Sequence, residues 1–412
     1  MTESITTIAD LLTPQAVRRR CSELLTLGDA GKLAHFRVAR ERFQSTVDYV
    51  YEVMKGQYPT FAVPYHSRLR HLSAGGVNRI RMLDDRMMDW EDIERLKTWC
   101  DLVIVSVLMD AGAGPQWRYR EIVSGKEYDR SEGLAVASFD LFVKGWFSAE
   151  PTREPFRIDG SRLEAITVDE LALVLQVSDK NQLVGLEGRA KLMNALGRVV
   201  SSHRGVFGSG QQRLGNMMPW LIGRAKKDGV IPAAQVLTNL LRVFGPIWPG
   251  RVTIDGLNLG DTWPHSAIGG AGITRGLVPF HKLSQWLSYS MIEVLERGGH
   301  TVSAIDELTG LAEYRNGGLL IDSGLLVLKD PAAAKLTHDP GDELIVEWRA
   351  LTVALLDEIA AGLRTKLGLS TGEFPLAKAL EGGTWHAGRR IAKERRPDGG
   401  PPLLVTSDGT VF

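Results

Sequence analysis

Val278-Pro279-Phe280-His281-Lys282 leads into a long amphipathic stretch, and Ala312-Glu313-Tyr314-Arg315-Asn316-Gly317-Gly318 follows, running on into Leu319-Leu320-Ile321. This passage decides how the chain is read. After Pro279, the residues Leu283, Trp286, Leu287, Met291, Val294 and Leu295 fall on one helical stripe. Proline near the first turn costs no helical hydrogen bond, and Gly298-Gly299 ends the element. Lys282 therefore opens a helix, at the end where the dipole disfavours an exposed cation by roughly 0.3–1 kcal/mol. A bound anion reverses that sign, because free backbone N–H groups and the ammonium then act together; without one, Lys282 is a solvated stem covering apolar surface. Glu313, between Leu311-Ala312 and Tyr314-Arg315, is expected to be partly buried. Held ionised, it can stabilise an oxocarbenium-like transition state or orient water. As a structural pair with Arg315 it would only pin the Asn316-Gly317 turn. A cation for a phosphate and a carboxylate for a developing sugar cation are what cleavage of a phosphorylated N-riboside requires.

Working outward, helices dominate. Residues 45–55, 89–101, 186–200, 211–227 and 233–244 read as helical. Thr167-Val168-Asp169-Glu170 is a capping box that launches a helix over 171–177. Asp342 is placed to cap a helix carrying Ile345, Trp348, Leu351, Leu355 and Ile359 inward. Alternation through Trp117, Tyr119, Glu121 and Val123, followed by Ser124-Gly125, predicts a short β-hairpin over 116–128. Tyr65-His66-Ser67-Arg68-Leu69-Arg70-His71 lies between Pro64 and Gly75-Gly76 and reads as an irregular polar loop, placed to face an anion or solvent. The fold class is mainly α with one small β-hairpin element. A single catalytic domain is expected over 1–392, with room for two intimate helical lobes dividing near 150. From 393 to 412 charge, proline and glycine take over, which predicts a flexible C-terminal tail.

Lysine plus arginine equal aspartate plus glutamate at 49 each, so the formal charge is zero. That balance argues against nucleic acid as a partner, which demands a basic surplus to replace counterions. Apolar runs such as 102–105 fall far short of a membrane span, and no signal peptide opens the sequence. Cys21 and Cys100 are too few for a disulfide scaffold, and a reducing cytoplasm is the expected setting. The partner expected is a small riboside or nucleotide substrate; the oligomeric state stays open.

Two further segments carry chemistry. Asp110-Ala111-Gly112-Ala113-Gly114-Pro115-Gln116-Trp117 fails as a dinucleotide fingerprint, because Trp117 replaces its third glycine and Pro115 interrupts the helix start. It reads either as one wall of a small ligand site, with an indole as stacking face, or as a tight turn with a core tryptophan. Asp255, Asp261, Trp263 and His265 crowd another loop, as ligand contacts or as a structural turn. No HExxH or paired-cysteine spacing supports a metal there, and no metal or cofactor is expected. Nucleophile elbows and Walker loops are absent.

Arg130-Ser131-Glu132-Gly133-Leu134, Gly276 through Trp286, Leu311 through Gly318, and Glu343-Leu344-Ile345-Val346-Glu347-Trp348-Arg349-Ala350 resemble motifs of a uracil-catabolism family, the fourth protein of the URC pathway. The resemblance spans roughly 49–394. It implies work on a uracil-derived ribosyl compound, on the way to urea and a three-carbon acid. A more distant similarity is to the queuosine salvage protein, an N-glycosylase acting on a nucleotide monophosphate. There an alanine-aspartate-tyrosine-arginine motif matches Ala312-Glu313-Tyr314-Arg315, and a lysine segment matches Pro279-Phe280-His281-Lys282. An acidic-aromatic-arginine helix matches Glu347-Trp348-Arg349. This resemblance implies a helical DNA-glycosylase-like fold, a catalytic Glu313 and a substrate-binding Lys282, the two together forming the expected catalytic pair. It places His281, Tyr314, Arg315, Trp348 and Arg349 among substrate-binding candidates, beside Asp110, Trp117, Asp261, Trp263 and His265. Glutamate stands where that family has aspartate. The reaction expected is hydrolysis of ribosylurea or its 5′-phosphate to urea and ribose (phosphate), with Asp110, Asp261 and His265 as candidate proton donors. Alternatives are an amidohydrolase acting on the ring-opened nucleotide and a non-catalytic nucleotide-binding pathway protein.

Overall fold

The computed structural model describes residues 5–269 and 272–406. The chain is mainly α-helical, with strands of two or three residues paired only in twos. It falls into two units that share the chain discontinuously. The first comprises Met1–His66, Gly250–Gln285 and Ala304–Thr406; the second comprises Ser67–Pro249 and Trp286–Ser303. The division does not fall near residue 150.

In the first unit, helix Pro14–Asp29 begins at Thr13, whose hydroxyl accepts from the Ala16 N–H. It buries Val17, Cys21, Leu24 and Leu25 and packs against the long helix Glu343–Leu367. That long helix turns Ile345, Trp348, Leu351, Leu355 and Ile359 into the core, as the sequence pattern demands. Asp342 stands at its N-cap, but the side chain makes no capping bond to the helix and instead accepts from the Asp339 N–H. Thr262–Pro264 pairs antiparallel with Leu277–Pro279, Trp263 opposite Val278. Pro279 therefore closes a strand, and the next helix starts three residues later, at Lys282–Arg297. His281, between the two, has φ 50°. A left-handed non-glycine residue is uncommon and costs roughly 1–3 kcal/mol, so the surroundings must impose it.

Helix Tyr314–Asp322 packs against Trp385–Arg395. The two run parallel: a Cβ on Gly388 would collide with the Arg315 carbonyl oxygen, and further along Arg396 pairs with Asp322 at 2.5 Å. The expected tail is held in place up to Thr406. The helix continues to Arg395, Leu403 is fully buried, and Leu404–Val405 pairs in parallel with Thr337–His338. Composition misled here because Arg396 is anchored by Asp322 and the Gly400 carbonyl rather than solvated; 407–412 lie outside the described residues.

In the second unit, Arg118–Arg120 and Glu127–Asp129 form the expected hairpin. The Thr167 capping box has both of its bonds and starts Val168–Val174. Helices Asp92–Leu108, Arg130–Val143, Leu186–Ser202 and Ala233–Phe244 supply the core. Two expectations fail. The stretch 211–227 yields only a 3-10 turn, Leu214–Asn216, and the short helix Met217–Ile222, since Pro219 and Gly223 break propagation. The polar segment before Gly75 is no solvated loop: Ser67 caps a turn of helix, Arg68–His71, and Arg68 is fully buried. Among the described residues no helix is long and apolar enough to cross a membrane.

Candidate functional site

Two helix starts in the first unit carry the candidate catalytic pair. Asp261 precedes strand Thr262–Pro264, and the hairpin register lays it beside Phe280, whose N–H donates to the Asp261 carbonyl at 2.9 Å. Its carboxylate then accepts from the Lys282 N–H at 3.0 Å, so it caps the helix that Lys282 opens. The same carboxylate takes the Trp263 indole N–H at 2.7 Å and a two-pronged contact from Arg349, both at 2.8 Å. Burial pushes the Asp261 pKa up, but the Arg349 guanidinium and these hydrogen bonds outweigh it and hold the carboxyl well below the usual carboxylate range. Asp261, expected among the proton donors, is thus kept ionised and cannot give a proton at neutral pH.

Glu313 occupies the N-cap of Tyr314–Asp322 with extended backbone geometry. One carboxylate oxygen accepts from the Arg315 N–H at 2.7 Å and the other from the Asn316 N–H at 2.6 Å. The side chain is half-buried. Burial raises its pKa above the ordinary value, partly offset by those two backbone donors and by the charges of Lys282 and Arg315. Lys282 is itself half-buried. Its charge is one of those that act on the Glu313 carboxylate. Each carboxylate oxygen spends one lone pair on the helix end and keeps another for a ligand.

Arg349 joins the two helix starts. Besides Asp261, its Nε donates to the Ala312 carbonyl at 3.3 Å, one residue before Glu313, and its guanidinium lies 4.1 Å from the Phe280 ring centroid. At 1% exposure it positions the pair and does not present itself to a substrate. Its neighbours on the long helix are also anchors. The Trp348 indole donates to the Gly317 carbonyl at 3.0 Å, and a Cβ on Gly317 would sit 2.7 Å from that ring, so only glycine fits. Glu347 accepts from the N–H groups of Ala34, His35 and Phe36. His265 faces it, Nε2 3.5 Å from Glu347, while its Nδ1 accepts from the Ala267 N–H. That pattern fixes His265 in a turn.

The remaining candidates divide similarly. His281 is buried with Nε2 2.9 Å from the Leu11 carbonyl, and burial pushes its pKa down, so a neutral ring donates into the core. Arg315 spends a guanidinium N–H on the Gly399 carbonyl and stacks on Tyr314. Trp263 is 9% exposed and bound to Asp261, whereas Tyr314 is half-buried beside Glu313.

In the second unit, Asp110 accepts from Arg68 and Ser131, each at 2.8 Å. Trp117 is fully buried with its indole donating to the Leu175 carbonyl at 2.9 Å. The expected stacking wall is therefore a core tryptophan, because no face of its ring meets solvent. Among the described residues no three histidine, cysteine or acidic side chains converge as metal ligands.

Sequence reasoning passed over two amides. Gln285, one turn after Lys282, is fully buried; its Oε1 accepts from the Thr309 N–H at 3.4 Å while Nε2 has no partner among the described residues. Asn316 is buried too, with Oδ1 unpartnered. An unpaired buried amide is costly and calls for an explanation. The signal was in the spacing: Gln285 lies three residues after Lys282, and Asn316 three after Glu313, so each shares a helix face with a candidate catalytic residue.

Comparison with known proteins gives a consistent result. A family model described as a protein of unknown function (DUF1688) matches residues 10–412. The chain is 39% identical to "Uracil catabolism protein 4" of Lachancea kluyveri, covering 93% of each chain. It is 38% identical to "Protein urg3" of Schizosaccharomyces pombe, covering 99% of this chain and all of that one.

Proposed function

The chain belongs to the DUF1688 family, and from that premise we propose that it serves uracil catabolism as an N-ribosidic bond hydrolase, cleaving ribosylurea or its 5′-phosphate to urea and ribose (phosphate). One observation carries the reading. Glu313 is a half-buried carboxylate fastened by two backbone N–H groups, with no guanidinium bonded to it among the described residues and with Lys282 among the charges that act on it. A carboxylate so placed can stabilise positive charge developing at a sugar C1 as the C1–N bond breaks. The bonding electrons leave with the urea nitrogen, which takes up a proton; water supplies the oxygen that ends on C1. Lys282, whose backbone N–H is already taken by Asp261, holds the phosphate or a sugar oxygen with its ammonium. The relative named for uracil catabolism supports a small uracil-derived substrate of this kind.

The test is incubation of the purified protein with ribosylurea, its 5′-phosphate and UMP in ¹⁸O-labelled water. A glycosidase releases urea and reducing sugar in equal amounts, with label entering at the anomeric carbon. Ammonia or a labelled carboxylate, with the riboside left intact, identifies an amidohydrolase instead. No turnover of any uracil-derived riboside overturns the enzymatic reading.

A further inference from the structure

The Trp117 indole is sealed in a core, which leaves a planar leaving group without the aromatic wall expected for it. Another indole lies on the helix packed against the one that Glu313 caps. Helix Trp385–Arg395 runs parallel to the Glu313 helix, and Gly388 abuts the Arg315 carbonyl. Trp385 lies three residues earlier, so it projects from the same side of its helix one turn nearer the Glu313 cap. Helices in contact have axes roughly 8–10 Å apart, a gap that a tryptophan spans. Residues 379–384, 387 and 388 are buried, yet Trp385 is half-buried.

The ring has side-chain neighbours that fix it. His66 packs on it with centroids 5.9 Å apart, and His66 Nδ1 lies 2.7 Å from a Glu381 oxygen. The other Glu381 oxygen accepts from the Tyr58 hydroxyl at 3.3 Å. His386 meets the indole edge-on at 5.0 Å, and the Arg389 guanidinium lies 5.5 Å from its centroid. Glu381 is carried on a π-helical turn, Ala379–Thr384, whose Gly382 and Gly383 wedge against Val63, Met54 and Val50. Such turns are rare and concentrate at functional sites, because the extra residue re-aims the side chains that follow.

We propose that Trp385 is the substrate-binding wall of the Glu313 site, on which the planar nitrogen substituent of the riboside, a ureido group or a pyrimidine ring, stacks. The Glu381–His66 pair is a positioning element that fixes the angle of the indole. This rests on the riboside reading of the Glu313 site, and its test is a binding measurement that needs no turnover. Calorimetric titration of the Glu313→Gln protein would use UMP, which has a flat ring, dihydrouridine monophosphate, whose saturated ring is puckered, and ribose 5-phosphate, which has none. Adding Trp385→Leu should weaken UMP binding about tenfold or more, the scale of a lost base–aromatic stack. Ribose 5-phosphate should be unaffected and the puckered ring little affected, while Trp385→Phe should restore most of the UMP affinity. Glu381→Gln should show the same selectivity in weaker form. Equal loss for all three ligands, or none for UMP, overturns the stacking role and leaves the glycosidase reading to its own assay. Failure of the Glu313→Gln protein with native Trp385 to bind any of them overturns both.

Discussion

Asp261 and Glu313 do the same structural task with opposite electrostatics. Each is an acid at the start of a helix, accepting backbone N–H groups with its carboxylate. Around Asp261 every valence is spoken for by Arg349, Trp263 and the Lys282 N–H, and its pKa is driven down. Around Glu313 the helix end is the chief partner, the side chain stays half-buried, and burial drives its pKa up. An acid matched to a guanidinium builds a scaffold. One held by a helix end and left half-exposed is available for chemistry.

The widest separation of the two should come from Arg349→Met. It leaves Asp261 buried without its cation, which costs about 3–5 kcal/mol. Denaturant titration should show that loss, and adding Asp261→Asn should recover part of it. Equal stability with and without Arg349 would break the comparison on the scaffold side. Glu313→Gln should do the converse: turnover falls at least about 100-fold. Its unfolding free energy should shift by no more than about 1 kcal/mol, the scale of a single cap. Turnover near wild type would sink the catalytic assignment.

Lys282→Ala should raise KM for a 5′-phosphorylated substrate roughly tenfold, the worth of one charge-assisted hydrogen bond, with a smaller change in kcat. It also sharpens the contrast through pH. Burial raises the Glu313 pKa above the ordinary 4.5, so a working carboxylate gives an acid limb in kcat above that value. Because the Lys282 charge is among the influences that lower this pKa, removing it should move the limb further up. The stability signs are opposite for the two acids. Ionised Glu313 costs stability above its unfolded pKa, whereas Asp261 contributes stability there and loses it only as pH falls through its depressed value. The smallest effect is expected from chelation, which should leave turnover unchanged. Loss on chelation, restored by one divalent ion, would move the assignment toward metal-assisted hydrolysis.

Much of this was legible in the chain because it is written locally. The apolar stripes, the Thr167 box and the hairpin at 118–129 depend on near neighbours, and they form where the pattern places them. Glu313 beside a glycine-rich helix start could be read for the same reason. What could not be read depends on partners far away in sequence. Arg349 meets Asp261 88 residues away, so nothing in either segment announces that their charges cancel. Trp117 looked like a ligand wall because a glycine-rich turn and an indole are ambiguous until the packing around Leu175 is known. Trp385 went unnoticed because its significance comes from the register of two helices, which no local pattern encodes.

The fastening of the last described residues bears on how the protein is made. Arg315 rests on the Gly399 carbonyl, Arg396 grips Asp322, and Leu404–Val405 completes a strand pair begun at Thr337. Tyr314–Asp322 leaves the ribosome long before these supports exist. While translation continues, the segment bearing Glu313 has its own sequence but not the surface it packs on. The first unit, assembled from three separate stretches, can close only once residues near 404 have emerged. Among the described residues the second unit needs, beyond Pro249, only Trp286–Ser303, most of one helix and a short strand, so it can complete its core earlier. Pulse-labelled chains arrested before residue 396 should therefore leave the Glu313 segment open to protease while much of 67–249 is already resistant.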